Sequence, residues 1–386
     1  MKKKVLVFID WYLPGYKAGG PIQSVSNMVS HLKDEFEFSI ITRDTDYCET
    51  ISYPNVVSDK WNLLEDGSRV FYFSKENLTR YSIAELLQKE EYDFVYLNGI
   101  FSKFFTLWPL FLMRKRKDKT VIIAVRGMFA DSALNVKKVK KKMFLFIIKA
   151  SRIFYNVIFH VTNENERKEV ERVLGNRMHI MMAGNLAGKS SSSINKVRSK
   201  SSGEVRFINI ARIAPEKNLL FALEILKGVK GKVFFDFYGP LYNETYWDKC
   251  REAIKQLPSN IKAEYKGSID PSKVSDLLTN YHFMFMPTRG ENFGHIILQS
   301  FTAGLPVIIS DKTPWTDLKE MKAGWAIPLE GSEIFVKVIE HCVEMDEHLF
   351  AKISNSAFVY GAKYVSDEKT LLQNRKLFSL IPLKNA

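Results

Sequence analysis

Short apolar runs and longer amphipathic stretches take turns along this chain. In its first half, KVLVFI (4–9), FEFSIIT (36–42), RVFYF (69–73), DFVYL (93–97), TVIIAV (120–125) and VIFHVT (157–162) are rich in β-branched and aromatic residues and predict strands. Between them, stretches such as 21–33, 104–116 and 164–174 predict helices. This alternation predicts a parallel sheet covered on both faces. The rhythm stops at GKSSSSINKVRSKSSGE (188–204), where Ser, Lys and Gly dominate and a linker or exposed loop is expected. It then resumes with VRFINIA (205–211), KVFFDFYG (232–239), IKAEYKG (261–267), HFMFMPT (282–288) and LPVIIS (305–310). The expected architecture is α/β, with two doubly wound domains at 1–188 and 204–365, a linker at 189–203 and a cleft between the domains. The closing helical pattern, DEKTLLQNRKLFSLI (367–381), is expected to cross back, so that 366–386 pack on the first domain.

Composition agrees with two cores. The chain has 386 residues, 46% apolar and 26% charged, which excludes disorder as the default. Its three cysteines, Cys48, Cys250 and Cys342, are too few and too scattered for a disulfide framework or a Cys-based zinc site. They fit a reducing, cytoplasmic compartment. The start, MKKKVLVFID, resembles a signal peptide only superficially, because its apolar core is short and Asp10 follows directly. No run of about 18 uncharged apolar residues predicts a membrane span.

The net charge of +13 is unevenly placed. Residues 101–152 hold fourteen Lys or Arg against two Asp or Glu. At the centre of this excess, KKVKKKMFLFIIKASRIFYNVIF (137–159) joins a basic run to an apolar helix pattern. That suits an anionic membrane surface, each nearby cation contributing ~1 kcal/mol. A core helix with a solvated basic end is the alternative. No nucleic-acid module is present, so nucleic acid is not an expected partner.

Open α/β sheets bind ligands at the carboxyl ends of their strands, so the loops there carry the candidate chemistry. Arg212 and Lys217 follow the run 205–211. Either both reach one anionic group beside a helix N-terminus, or they form a solvated turn with a Glu216–Lys217 surface pair. The run 282–288 leads into Thr288, Arg289, Gly290, Glu291, Asn292, Phe293 and Gly294. Gly290 and Gly294 permit close backbone approach. Helix N–H groups near Gly294 and His295 would face an anion, with Glu291 at its edge accepting hydrogen bonds from sugar hydroxyls. Gln299, eight residues on, would reach a second set of hydroxyls. Alternatively, Glu291 only favours the positive end of a helix and Gln299 is an exposed helix former. In the first domain Gly19 and Gly20 precede a helix, but no GxGxxG is present and a nicotinamide cofactor is not expected. Asp44-Thr45-Asp46 is read as acceptor-side or structural, and no metal is expected.

Ala18-Gly19-Gly20-Pro21, Val125-Arg126-Gly127-Met128, Arg212 with Lys217, Tyr238-Gly239-Pro240 and Gly290 through Ile308, continuing to Ser310–Trp315, complete a pattern. Over most of its length the chain resembles the retaining nucleotide-sugar glycosyltransferases of family 4, which have the GT-B fold of two Rossmann-like domains. The resemblance implies that Glu291 contacts the donor sugar, and that backbone N–H groups of Asn292, Phe293 and Gly294 contact the sugar or diphosphate. It further implies that Arg212 and Lys217 neutralise the leaving diphosphate, with Thr288 and Gly239 on the donor side. Gly19 and Gly20, together with Arg126 and Asn98, would line the cleft from the acceptor side. Two departures matter. The family's second acid is Gln299 here, which can hydrogen-bond ribose only through neutral groups, a loss on the order of 1 kcal/mol. Arg126-Gly127 and Asn98-Gly99 stand where many members have His-Gly. Arg126 cannot act as a base near neutral pH, but could hold an anionic sugar group or a phosphate.

The implied reaction is front-face transfer in which the donor phosphate helps take the acceptor proton, independent of a metal cofactor. The implied partners are a UDP- or GDP-sugar, a glycan or lipid-linked acceptor of surface polysaccharide synthesis, and the anionic inner membrane face through 137–152. Alternatives are an epimerase or phosphorylase of the same fold, or a non-catalytic membrane-surface binding protein.

Overall fold

The fold, obtained as a computed structural model, describes residues 2–116, 118–130, 133, 134, 143, 145, 151, 153, 154, 156–189 and 198–379. Lys137, Lys138, Lys140, Lys141, Lys142, Lys149 and Arg152 of the basic segment lie outside the described residues. The chain divides into two compact units, residues 1–189 with 367–386, and residues 190–366.

In the first unit the chain runs through β1 (Lys3–Phe8), α1 (Gly20–Leu32), β2 (Phe36–Arg43), β3 (Trp61–Leu63), β4 (Arg69–Phe73), α2 (Arg80–Lys89) and β5 (Phe94–Asn98). A π-helical turn (Lys103–Leu107) then leads into α3 (Trp108–Met113), followed by β6 (Thr120–Ala124), β7 (Val157–Val161), α4 (Glu164–Leu174) and β8 (His179–Met182). The eight strands lie in the order β3-β4-β2-β1-β5-β6-β7-β8, and every pairing except β3–β4 is parallel. All residues of β5, β6 and β7 are buried, which is why they read as unbroken apolar strings.

The last helix of the chain belongs to this unit. It spans Glu368–Leu377, and Phe378 just beyond it is fully buried. The Phe378 ring packs against Phe36, Phe38, Phe94 and Tyr96 at centroid distances of 5.4 to 5.9 Å.

The second unit contains β9 (Glu204–Ile210), α5 (Leu219–Leu226), β10 (Lys232–Tyr238), α6 (Glu244–Lys255), β11 (Ile261–Tyr265), α7 (Pro271–Leu278) and β12 (Phe283–Met286). It continues with α8 (His295–Thr302), β13 (Val307–Ser310), β14 (Gly324–Ile327), α9 (Ser332–Glu344) and α10 (Glu347–Val365). Its six parallel strands lie in the order β11-β10-β9-β12-β13-β14. Phe207, Phe235, Phe237, Phe283 and Phe285 fill the core on the sheet.

Both sheets reverse their winding once, between β1 and β5 in the first and between β9 and β12 in the second. At such a point the loops leaving two adjacent strands turn to opposite faces of the sheet and leave a crevice at their carboxyl ends.

The structure corrects three expectations. The pattern at 104–116 starts as a π turn and stops at Met113. The short strands β3, β8 and β14, of three or four residues, gave no usable periodicity. The expected exposed loop at 188–204 is in part anchored, with Arg198 and Lys200 buried. Arg198 donates to the carbonyls of Thr279, Ala303 and Gly304, and Lys200 to those of Ser201, Val343 and Met345. Burying a cation is tolerable when carbonyls take its protons.

Phe378→Ala should destabilise the first unit by about 3–5 kcal/mol, the usual cost of emptying a packed phenylalanine site. Urea unfolding followed by a probe in that unit checks this, and a change below about 1 kcal/mol would mean that the last helix is not held by this ring.

Candidate active site

In the second unit the loops after β9 and β12 meet at the reversal point. Lys217, in a single 3-10 turn (Pro215–Lys217), forms an ion pair with Glu291, and both side chains are about 15% exposed. Arg212 pairs instead with Glu216 at 3.3 Å, near the surface. The Glu216–Lys217 pair considered from sequence is therefore replaced by two others. Asn218, buried and left-handed (φ 60°), ties the loops together, its Nδ2 donating to Pro287 O at 3.0 Å and its Oδ1 accepting from Arg289 Nε at 3.2 Å. Asn is one of the few non-glycine residues that accept this backbone readily.

The structure locates each sequence-predicted residue of this unit. Thr288 is fully buried, and its Oγ1 lies 3.1 Å from the carbonyls of both Glu216 and Gly290. Its hydroxyl ties the loop after β12 to the one after β9. Gly239 has φ 145°, and a Cβ there would lie 1.9 Å from Ala211 O. This glycine is fixed by the close approach of two strand ends. Glu291 N donates to Lys312 O at 3.0 Å, and Phe293 O accepts from Trp315 Nε1 at 2.6 Å. Gly294, left-handed at φ 77°, begins α8 with no side-chain cap. The positive end of the helix dipole lies at this turn, where it favours an anion. Asn292 and Gln299 are half-buried, with Gln299 about one turn into α8.

In the first unit, Gly19 (φ 75°) caps α1 without a side-chain bond and Gly20 is its first residue. Asn98 ends β5 and Arg126 follows β6 in left-handed backbone (φ 55°). Arg126 donates from Nε to Asn98 Oδ1, from Nη1 to Asn185 Oδ1 and from Nη2 to Tyr96 Oη, each at 2.8 Å. Tyr96 Oη also lies 2.8 Å from His160 Nδ1, and His160 Nε2 lies 2.8 Å from Ala183 O. A carbonyl only accepts, so Nε2 carries the hydrogen and Nδ1 accepts from the tyrosine. Burial, helped by the Arg126 charge, lowers the His160 pKa to about 3 and keeps the ring neutral. Nearby, buried Glu166 accepts from Gly127 N, Thr162 N and Thr162 Oγ1. In the loop after β2, Asp46 accepts from Tyr16 N, Lys17 N and Tyr47 N, and Asp44 from Ser52 and Ser58 hydroxyls. These acids organise loops. Among the described residues no group of three or more His, Cys, Asp or Glu could hold a metal ion.

Nearly all of the second unit, residues 191–360, matches the profile of the family described as Glycosyl transferases group 1. The second unit is a glycosyltransferase domain. No curated protein sequence matches the chain. Among solved structures it is similar to sucrose-phosphate synthase from Thermosynechococcus elongatus, with TM-score 0.72, 14% identity and 98% of each chain covered. It is also similar to HepE of Anabaena in complex with UDP and glucose, with TM-score 0.69, 14% identity, and 97% of this chain and 98% of that one covered. A third is WaaG, a glycosyltransferase involved in lipopolysaccharide biosynthesis, with TM-score 0.69, 10% identity, and 97% and 100% covered. At these identities the likeness establishes the fold, which is GT-B, with two parallel-sheet domains.

The glycosyltransferase domain thus brings Arg212 and Lys217, each paired with a carboxylate, and an uncapped helix start to a single strand reversal. That combination can stabilise an anionic leaving group while binding hydroxyls. Sequence reading missed Asn218 and the neutral cluster of Tyr96, His160 and Asn185. The available signal was a tyrosine in β5 and a histidine in β7, both strands largely apolar.

The buried histidine has a stability consequence. An unfolded histidine protonates near pH 6.5, whereas His160 in the fold does so only near 3. The unfolded chain therefore binds more protons between these values, and stability falls as pH drops below about 6.5. From pH 7.5 to 5.5 the wild type should lose about 1 kcal/mol more than His160→Gln, as measured by urea unfolding. Parallel losses in the two proteins would contradict the neutral assignment.

Proposed function

We propose that the protein is a retaining, family 4-type glycosyltransferase that moves a sugar from a UDP- or GDP-sugar to a glycan or lipid-linked acceptor in surface polysaccharide synthesis. The observation that carries this reading is the Lys217–Glu291 pair at the β9/β12 reversal, beside the uncapped start of α8 in a glycosyltransferase domain. The UDP and glucose bound by HepE and the lipopolysaccharide role of WaaG are in keeping with it.

As the bond from the sugar's anomeric carbon to the diphosphate breaks, charge grows on the phosphate oxygens. Arg212 and Lys217 meet that charge, and the first N–H groups of α8 add to it. Lys217 then turns from Glu291 toward the phosphate, freeing the carboxylate to accept hydrogen bonds from the transferred sugar. The backbone at Asn292, Phe293 and Gly294 lines the sugar and diphosphate, and Gln299 binds the ribose hydroxyls through neutral hydrogen bonds. The new bond to the acceptor oxygen forms on the face the phosphate leaves, and the acceptor proton passes to a phosphate oxygen. No protein base is required, and the two cations fill the role a divalent metal would otherwise serve. Gly19, Gly20, Asn98 and Arg126 lie on the acceptor side in this reading. Peripheral attachment to the inner membrane face through 137–152 follows from the charge of that segment. Among the described residues no helix is long and apolar enough to cross a membrane.

A binding screen with UDP-, GDP-, ADP- and CMP-sugars identifies the donor. With that donor, Glu291→Ala should lower transfer by at least about a hundredfold, while its unfolding curve stays close to the wild type's. In the same assay Gln299→Glu should bind donor as well or more tightly. Full transfer by Glu291→Ala would refute the role given to this carboxylate.

Replacing Lys137, Lys138, Lys140, Lys141 and Lys142 by Ser should reduce co-sedimentation with vesicles containing anionic phospholipid. Unchanged sedimentation would remove the membrane reading.

A further inference from the structure

We infer that Arg126 holds an oxyanion on the ligand of the first unit, either the carboxylate of an acidic sugar or a phosphate monoester. The inference rests on the acceptor-side reading above and names the chemistry of that ligand.

The starting point is a cation that touches no carboxylate. Arg126 is half-buried at the carboxyl end of β6, and all three groups that fix it are neutral: Asn98, Asn185 and Tyr96. Among the described residues it makes no ion pair. The nearby carboxylate of Glu166 makes its hydrogen bonds to Gly127 and Thr162 and none to the guanidinium. Two other cations near the strand ends of this unit are paired, Arg43 with Asp10 and Lys17 with Glu49. A partly desolvated guanidinium usually recruits an acid. Here the site offers amide and phenol oxygens, which orient the group and leave its charge unspent.

The orientation is over-determined. His160 must donate to Ala183 O, so Tyr96 must donate to His160, and the phenol oxygen is left to accept from Arg126. Reversing any bond would break the chain. Arg126 is also held in left-handed backbone, a conformation costing roughly 1 kcal/mol or more for a residue other than glycine. Three of its five N–H groups are occupied, leaving one on each terminal nitrogen. Two such groups on a planar fork match the two oxygens of a carboxylate or phosphate.

The test compares binding of D-glucuronate, D-glucose 6-phosphate and neutral D-glucose to the full chain at constant ionic strength, by calorimetry and thermal shift. At least one of the two anionic ligands should bind the wild type more tightly than glucose. A response to glucuronate assigns an acidic sugar, and a response to glucose 6-phosphate a phosphate monoester. Arg126→Gln should weaken that ligand about ten- to a hundredfold. Arg126→Lys, which keeps the charge but loses the fork, should fall between, and it controls for a folding defect in the first variant. Arg212→Gln removes a cation from the diphosphate site of the other unit and reports whether the ligand binds there instead. No anionic preference in the wild type, equal binding by Arg126→Gln, or a loss confined to Arg212→Gln would each overturn the inference. UDP and GDP binding, followed on the same samples, tests the donor reading separately. If neither nucleotide binds, that reading fails while the Arg126 result stands by itself.

Discussion

Lys217 and Glu291 are 74 positions apart in sequence and share a proton-bearing contact in the fold. Nothing local brings them together. The order β11-β10-β9-β12-β13-β14 does, because it sets β9 beside β12 and sends their following loops into one crevice. Two further cross-ties then fix the loops, from Asn218 to Pro287 and from Arg289 N to Glu216 O. The pair is thus a product of sheet topology, and the glycines around it serve the same end. Gly239 lets one strand end pass close to Ala211, and Gly294 turns the chain into α8 at a backbone angle that a side chain would resist.

The α/β alternation was legible because the central strands are buried on both faces and therefore apolar throughout. Short edge elements such as β3 and β14 lacked the length for any period to emerge. The buried ends of the predicted linker were hidden for another reason. Arg198 and Lys200 look like solvent residues, and only the carbonyls of distant segments make their burial tolerable. Among the site residues, spacing offered Glu291 and Lys217 as neighbours of a helix start but could not choose Lys217's partner. The contacts of Thr288 were hidden as well, since a loop threonine in sequence gives no hint that two carbonyls will surround its hydroxyl.

The two units treat charge in opposite ways. In the glycosyltransferase domain each site cation has an acid beside it, Glu291 for Lys217 and Glu216 for Arg212. Such a site is near neutrality when empty, and a diphosphate must compete with a carboxylate for Lys217. The exchange favours a ligand that brings more than one negative charge, and it releases Glu291 only once that ligand is bound.

The first unit instead surrounds Arg126 with dipoles. Asn98, Asn185 and Tyr96 hold the guanidinium without neutralising it, and the neutral His160 behind the phenol adds no second positive charge. An acid in that shell would have stabilised the empty protein more. Its absence leaves a fixed positive charge whose cost is carried by the network, and a single negative group is enough to offset it. One unit is therefore suited to exchanging an internal anion for a multiply charged one, and the other to accepting an oxyanion without displacing anything. The difference comes from which residue types stand beside each cation, since both sites are built at the same kind of strand end.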